Sequence, residues 1–334
     1  MIKSTKKEVD VRAAIIGYGY WGRNVARAVQ NSTIFELHTI FDLDLGQRRE
    51  AKKLYDFKEY LSLDCILADE EIEVLFIITP PQSHYAIAKN ALQANKHIFV
   101  EKPLCMCSKE AGELYDLARA KSLILHCDHI FLHAPAVRWL KQHISLLGNI
   151  VYINARRINL GLFQNSVDVI WDLAIHDLSI IDYLIGLEIK NAEVFARKYQ
   201  NYPNDALANI NLELESGVIV TINVSWLSPI KVREMIIGGE EKSIIYDETK
   251  SDKIALFDSG VVVKDEFDTP RLYQKMVEYK IGSTSFPKVT GKLALDTSVE
   301  EFGIKIRARD QGLLDEEHVL RILHALEKIS ASKI

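Results

Sequence analysis

Three glycines near the start of the chain have the spacing that a dinucleotide-binding loop requires. They lie in residues 17–22, G-Y-G-Y-W-G, between an apolar run and a stretch with helical periodicity. Gly17 permits the tight turn, Gly19 lets the backbone approach a pyrophosphate, and Gly22 allows close helix–strand packing at the helix end that attracts anions. The predicted cofactor contacts in this loop are Gly17, Gly19, Tyr20, Trp21 and Gly22.

Asp42 is placed to accept a hydrogen bond from a ribose hydroxyl. It lies 20 residues beyond Gly22, at the end of the second predicted strand. A carboxylate there would repel the extra phosphate of NADP, so NAD is the predicted cofactor. Arg48 and Arg49 keep NADP as the alternative, although the simpler interpretation of these two arginines is a solvated helix face.

Two later loops follow strands of the same pattern and should reach the same edge of a sheet. Residues 79–84, T-P-P-Q-S-H, follow the third strand, and residues 101–103, E-K-P, follow the fourth. Ser83 as a helix cap, His84 in a first helical turn and Lys102 as a surface residue are the plain structural alternatives. The predicted cofactor contacts in these loops are Thr79, Pro80, His84, Glu101 and Lys102.

Asp172 and His176 form a candidate acid/base pair, because residues four apart share one face of a helix. Their helix is otherwise mostly apolar, so each polar side chain needs an explanation. Without a cofactor domain, a helix-start Asp and a satisfied core His would explain them. With that domain, Lys102, Asp172 and His176 are the predicted catalytic residues.

Other polar residues give weaker predictions. On a later strand, Arg156, Arg157 and Asn159 suit an acidic or nucleotide-bearing substrate, and a strand with exposed basic residues explains them equally well. The four cysteines, Cys65, Cys105, Cys107 and Cys127, show neither a disulfide framework nor paired metal-ligand spacing. We predict reduced thiols and no metal site. The predicted substrate-binding residues are Lys102, Arg157, Asn159, Asp172 and His176.

The elements that must position these residues alternate between strand and helix up to about residue 127, which is typical of a doubly wound parallel sheet covered by helices. The predicted strands are Val11–Ile16, Phe35–Phe41, Glu73–Ile78, His97–Val100 and Leu123–Cys127. The predicted helices between them are Gly22–Asn31, Gly46–Tyr55, His84–Ala94 and Lys109–Lys121.

The pattern changes after His129 to consecutive strands, which indicates an α+β domain with a largely antiparallel sheet. We predict an N-terminal Rossmann domain over residues 1–128 and a substrate-binding domain over residues 129–334, and leave open that the last helix folds back on the first domain. The predicted helices are 137–144, 172–185 and 316–330. The predicted strands are 150–159, 192–199, 207–215, 218–226, 234–238, 243–247 and 253–257.

Composition excludes several functional classes. A net charge of −5 and a pI near 6.1 offer no basic surface for nucleic acid. No apolar run reaches the roughly 18 residues that a membrane span needs, and the charged start, residues 1–10, does not resemble a signal peptide. We therefore expect a cytoplasmic protein with a small-molecule substrate.

In its glycine loop, in Thr79-Pro80-Pro81 with His84, in Glu101-Lys102-Pro103 and in Asp172-x-x-x-His176, the chain resembles the glucose-fructose oxidoreductase, inositol dehydrogenase and rhizopine catabolism protein family (Gfo/Idh/MocA). The resemblance implies an open C-terminal sheet through which a homodimer or homotetramer forms. It also implies that Lys102 sits beside the reacting carbon, that Asp172 tunes or relays protons, and that His176 is the acid/base on a sugar hydroxyl.

Residues 18–24, 129–135, 157–161 and 171–177 look most like the family branch that oxidises UDP-N-acetylglucosaminuronate at C3, although Ile175 stands where that branch commonly has proline. The resulting hypothesis is an NAD-dependent oxidoreductase that moves a hydride between nicotinamide and a sugar ring carbon, in particular C3 of a nucleotide sugar. The alternatives are an NAD-retaining glycoside hydrolase that oxidises C3 transiently and a non-catalytic NAD-responsive regulator.

Overall fold

The chain forms two compact units in the computed structural model, which describes residues 11–263 and 277–334. The first unit is Met1–Ala134 with Lys292–His324, and the second is Pro135–Gly291 with Ala325–Ile334. The second unit thus begins six residues after the predicted boundary, and a late segment returns to the first. The charged start, residues 1–10, lies outside the described residues.

The first unit contains a five-stranded parallel sheet in the order β2-β1-β3-β4-β5. Its strands are β1 (Val11–Ile16), β2 (Phe35–Phe41), β3 (Val74–Ile77), β4 (His97–Glu101) and β5 (Leu125–Asp128). The helices between them are α1 (Gly22–Asn31), α2 (Leu45–Lys52), α3 (Leu63–Ala68), α4 (Pro81–Gln93) and α5 (Ser108–Ala120). The predicted doubly wound sheet is confirmed. All of β3 and the centre of β4, residues 98–100, are apolar because helices cover both faces of such a sheet.

A helix from the far end of the chain completes the core of this unit. In α8 (Ala294–Ala308), the buried ring of Phe302 lies 5.8, 5.7 and 5.6 Å, between ring centroids, from those of Phe35, Phe76 and Phe99. Aromatic rings at such distances combine a large buried apolar area with favourable ring contacts. Sequence analysis did not predict α8. The predicted last helix is present as α9 (Leu313–Ala331), which begins in the first unit and ends in the second.

The second unit contains an eight-stranded sheet in the order β13-β12-β11-β10-β6-β9-β8-β7. Neighbouring strands are antiparallel except β6 and β9, which confirms the predicted, largely antiparallel sheet. The strands are β6 (Ile150–Leu160), β7 (Ile189–Lys198), β8 (Asp205–Leu214), β9 (Ile219–Ser225), β10 (Leu227–Gly239), β11 (Ser243–Asp247), β12 (Ile254–Val263) and β13 (Val277–Ser285). Its remaining helices are α6 (Pro135–His143) and α7 (Ile175–Ile185).

Alternation along the central strands of this sheet determines which face is covered. In β8 and β9 every second residue is buried, from Ala206 to Leu214 and from Val220 to Val224. The intervening polar side chains, such as Asn209 and Asn223, pair across the strands on the other face. Within the described ranges, none of the helices is both long and apolar enough to cross a membrane.

A buried ion pair joins the sheet of the second unit to α7. Arg157 on β6 is 2% exposed, and its Nη2 and Nε donate to the Asp177 carboxylate at 2.8 to 3.2 Å. Its Nη1 lies 3.3 Å from Glu248, which also accepts from Arg233 at 2.8 Å. Burial raises the pKa of Asp177 and the Arg157 charge opposes this shift. Removing one member would leave the other charge desolvated and unpaired.

We expect Arg157→Ala to lower the free energy of unfolding by about 3–5 kcal/mol, the usual effect of breaking a buried ion pair. Its neighbour Arg156 is exposed, so Arg156→Ala should change stability by no more than about 0.5 kcal/mol. Urea unfolding followed by intrinsic fluorescence measures both. Equal stability of the two variants would contradict the structural function of Arg157.

Candidate functional site

Most of the predicted cofactor residues lie along the carboxyl edge of the parallel sheet. The glycine loop, residues 17–22, follows β1, Asp42 follows β2, Thr79 lies just after β3, and Glu101 ends β4 beside Lys102. The strand order reverses between β1 and β3. Ligands of doubly wound sheets bind outside the carboxyl ends of the strands at such a point.

The three glycines of the loop have different surroundings. Gly17 has a φ of +97°, and a Cβ there would lie 2.6 Å from the carbonyl oxygen of Ile78. A Cβ on Gly22 would lie 2.3 Å from the carbonyl oxygen of Gly17, whereas one on Gly19 would meet no atom within 4 Å. Gly17 and Gly22 are therefore required by the chain's own backbone. Gly19 leaves open space, as expected where a pyrophosphate approaches.

Asp42 is held by the two loops it joins. Its Oδ2 accepts from the Tyr18 N–H at 2.7 Å and its Oδ1 from the Asp44 N–H at 2.9 Å. An ionised carboxylate has about four acceptor sites, so capacity for ribose hydroxyls remains.

The Arg48 guanidinium is directed at the backbone rather than at open solvent. Its Nε donates to the carbonyl oxygen of Asp42, its Nη1 donates to that of Tyr60 at 3.2 Å, and its Cζ lies 4.0 Å from the centroid of the Phe41 ring. Arg49 is exposed. Of the two arginines, Arg49 thus has the side chain more available to a 2′-phosphate.

His84 connects two loops of the edge. The ring is fully buried, with Nδ1 2.8 Å from the carbonyl oxygen of Pro103 and Nε2 2.7 Å from that of Thr79. Only an imidazolium could donate to both carbonyls, yet burial lowers the pKa of His84 despite these two contacts. Through these two contacts the ring links the loops after β3 and β4. Direct contact of His84 with a cofactor stays a prediction.

Helix α4 begins earlier than expected, at Pro81 instead of His84. Proline is favourable at a first helical position because its missing N–H would have no partner there. The Ser83 hydroxyl lies inside the first turn, 2.7 Å from Thr79 Oγ1 and from the carbonyl oxygen of Pro80. Ser83 is thus not the helix cap that the sequence suggested.

Glu101 and Asp128 end two adjacent strands and are paired across them. Desolvation raises the pKa of Glu101, and the neighbouring Asp128 charge raises it further, while Lys102 opposes both effects. The Glu101 Oε2 accepts from the Lys102 backbone N–H at 3.1 Å. The predicted catalytic residue Lys102 therefore follows a glutamate whose surroundings favour the protonated, uncharged form of the Glu101 carboxyl group.

Asp172 and His176 lie in the second unit and are the two residues between Val169 and Asp182 that are not buried. The predicted α-helix begins instead with a π-helical turn, Ile170–Ala174, which contains Asp172. Such turns are frequent at functional sites. These two polar side chains are partly accessible on an otherwise buried segment, as an acid/base pair needs to be.

Trp226 is a residue of this site that sequence analysis missed. Its side chain is 1% exposed, and its Nε1 donates to Asp172 Oδ2 at 2.9 Å. A buried indole N–H needs an acceptor, so tryptophan at the end of a predicted strand was the available signal. Trp226 fixes the orientation of the Asp172 carboxylate.

The C-terminus of the chain braces the π-helical turn. Asp168 Oδ1 accepts from the N–H groups of Ile170 and Trp171 at 3.0 and 3.1 Å, and its Oδ2 pairs with Lys333. The Trp171 Nε1 donates to Ser330 Oγ at 3.1 Å. These contacts join the turn that carries Asp172 to the end of α9.

The two other predicted substrate residues, Arg157 and Asn159, lie on β6 and differ in burial, because Arg157 is buried and Asn159 is half-buried. The Arg157 guanidinium is committed to Asp177 and Glu248, which gives it a structural function within the second unit. Asn159 is half-buried farther along β6, and a Cβ on Gly161 would lie 2.9 Å from its Nδ2. A substrate contact of Asn159 stays a prediction.

Alanine substitutions in the glycine loop should separate folding from cofactor binding. Gly22→Ala should destabilise the protein by roughly 1–3 kcal/mol, because its Cβ requires backbone displacement. Gly19→Ala should leave stability within about 0.5 kcal/mol of wild type, yet weaken NADH binding about tenfold or more, because the methyl group occupies the pyrophosphate's approach. Thermal unfolding and NADH fluorescence titration measure the two effects, and wild-type NADH affinity of Gly19→Ala would contradict the loop's function.

Comparison with known proteins gives matches in both units. Residues 11–129 match the family model described as "Oxidoreductase family, NAD-binding Rossmann fold". Residues 148–245 match the one described as "GFO/IDH/MocA C-terminal domain". The two matches together cover more than half of the chain.

Relatives of known activity are similar over part or all of the chain. The UDP-N-acetylglucosamine 3-dehydrogenase of Acidithiobacillus ferrooxidans is 33% identical over 183 residues, 54% of this chain and 56% of that protein. The chain spans about half or less of the length of the first curated relatives it matches. A solved structure of the same dehydrogenase, GnnA, aligns with a TM-score of 0.80 at 24% identity, covering 96% of this chain and 97% of that one.

A second structural match is KijD10, a 3-ketoreductase from Actinomadura kijaniata in complex with TDP-benzene and NADP. It aligns with a TM-score of 0.81 at 14% identity, covering 97% of this chain and 98% of that one. At these identities the structural matches establish the fold. Because the two family models account for both units in order along the chain, the protein belongs to the Gfo/Idh/MocA family of oxidoreductases, with an NAD-binding Rossmann fold.

Proposed function

We propose that this protein is an NAD(H)-dependent oxidoreductase that transfers a hydride between nicotinamide and a sugar ring carbon, in particular C3 of a nucleotide sugar. One observation carries the proposal. At the carboxyl edge of the parallel sheet, the open space over Gly19 and the acceptor Asp42 lie beside the point between β1 and β3 where the strand order reverses. One relative supports the sugar class by its name, a UDP-N-acetylglucosamine 3-dehydrogenase. A protein of the same fold is named a 3-ketoreductase.

The residues of this chain fit the binding of a dinucleotide and a proton transfer. Bound NAD+ supplies the hydride acceptor. The oxidised alcohol loses its O–H proton to His176, because an imidazole accepts and returns protons near neutral pH. The Lys102 ammonium stabilises the negative charge that develops on the same oxygen. Asp172, oriented by Trp226, tunes or relays this proton.

We expect Lys102→Ala and His176→Asn each to lower kcat by about 10²–10⁴-fold, the usual contribution of a positioned acid/base or electrostatic group. Lys109→Ala is the matched control, because Lys109 is an exposed lysine at the start of α5. Steady-state NADH formation with UDP-N-acetylglucosamine and related nucleotide sugars is the measurement. Near-normal turnover of both variants would refute the assignment.

The same assay separates the proposed reaction from the hydrolase alternative. A dehydrogenase releases one NADH for each sugar oxidised, whereas a hydrolase that oxidises C3 transiently returns the hydride to its own product. Cleaved glycoside without net NADH would therefore replace the proposed function with the alternative.

Asp42 should control cofactor choice. Asp42→Ala removes a charged acceptor of the ribose hydroxyls and a repulsion of the 2′-phosphate, so the ratio of kcat/KM for NADP+ over NAD+ should rise about 10- to 100-fold. Asp44→Ala is the control, because Asp44 is an exposed carboxylate whose Oδ1 accepts from the Gly46 N–H at the start of α2. An unchanged ratio in Asp42→Ala would show that this carboxylate does not contact the ribose.

A further inference from the structure

A cluster of metal-ligand residue types lies at the end of β5. His126 and Asp128 are two residues apart on this strand, so their side chains point to the same face of the sheet. His133 ends the 3₁₀-helical turn Ile130–His133 that follows. One ligand atom of each residue in the His126–Asp128–His133 cluster lies within 4.8 Å of those of the other two.

Helix α8 supplies an outer layer to this cluster. Ser298 and Glu301 are three residues apart and share one face of the helix. The Glu301 Oε2 lies 2.9 Å from His133 Nδ1, and the Ser298 Oγ donates to Asp128 Oδ1 at 2.8 Å. Histidine ligands of metals almost always donate their second ring N–H to a carboxylate, a carbonyl or water. Glu301 has this position relative to His133.

Hydrogen bonding within the cluster leaves two buried acceptors without donors. Since the Ser298 hydroxyl gives its proton to Asp128, it accepts from His126 Nε2 at 3.2 Å, and the lone pair of the neutral ring is then on Nδ1. Neither His126 Nδ1 nor Asp128 Oδ2 has a hydrogen-bond partner among the described residues. His126 is 3% exposed and Asp128 is fully buried. A buried polar atom without a partner destabilises the folded state, because its bonds to water are lost and not replaced.

We propose that the His126–Asp128–His133 cluster binds a divalent transition-metal ion of the zinc type. Two imidazoles and one carboxylate are a ligand set that zinc accepts, with a fourth position for water. The cation would satisfy both unpartnered acceptors and would join β5 to α8 through the hydrogen bonds of Ser298 and Glu301. The cysteine spacing, on which sequence analysis had predicted no metal, does not bear on these residues.

The charges around the cluster are compatible with a cation. Asp315 Oδ2 lies 3.9 Å from His126 Nδ1, and Glu301 adds a second carboxylate. Lys305 is a nearby cation, and it pairs with Asp315. The proposal does not depend on the proposed hydride transfer.

Zinc binding to the tag-free full-length chain tests this site. After dialysis against EDTA, calorimetric titration with Zn²⁺ should give one site per chain, and Zn²⁺ should raise the Tm. Asp128→Asn keeps the side-chain shape and should weaken binding at least about tenfold. His38→Asn is the matched control, because His38 belongs to a second group of potential ligands among the described residues, with Asp69 and Glu71.

Glu301→Gln provides a second variant if Asp128→Asn fails to fold. It leaves the three ligands in place and should weaken zinc binding about 10- to 100-fold, the usual effect of losing an outer hydrogen-bond partner. Absence of stoichiometric binding by the wild type would overturn the proposal. Unchanged affinity in the variant that folds, or loss of binding in His38→Asn, would overturn it as well.

Discussion

The close approach of two backbone segments at the carboxyl edge of the first sheet is the constraint on which the proposed cofactor site depends. The turn after β1 passes so near the end of β3 that a Cβ on Gly17 would lie 2.6 Å from the Ile78 carbonyl oxygen. This approach places the start of α1 at the point where the strand order reverses. It also brings the Tyr18 N–H onto Asp42, so one carboxylate ties the end of β2 to the glycine loop.

Each unit contains buried ionisable groups, and specific partners form ion pairs or hydrogen bonds with them. In the second unit, Arg157 is paired with Asp177 and Glu248 between sheet and helix. In the first, Glu101 and Asp128 lie side by side, with Lys102 next to one and Ser298 hydrogen-bonded to the other. Because buried charges and polar atoms destabilise a protein unless they have partners, a buried polar atom without a partner indicates a site where a ligand could bind. Two atoms of the His126–Asp128–His133 cluster, His126 Nδ1 and Asp128 Oδ2, are of this kind.

Family membership and the site geometry support different parts of the functional conclusion. The two family models establish an oxidoreductase family with an NAD-binding domain. The partial accessibility of Asp172 and His176 on a buried segment, with Trp226 hydrogen-bonded to the carboxylate, is a property of this chain's own packing. The sugar itself is inferred from the name of a relative, a UDP-N-acetylglucosamine 3-dehydrogenase.

Local spacing was sufficient to predict the five parallel strands, the long run of antiparallel strands, and the position of the glycine loop and Asp42 after β1 and β2, because periodicity and turn chemistry act over a few residues. Packing between distant segments accounts for what spacing missed. Helix α8 enters the first unit from nearly 200 residues beyond β4, and it carries Ser298 and Glu301 to the histidines of β5 and its turn. Arg157 resembled a ligand contact in sequence, and the structure shows its guanidinium paired with Asp177 and Glu248. Such contacts depend on which surfaces meet after folding, and the local pattern of residues along one strand or helix does not show this.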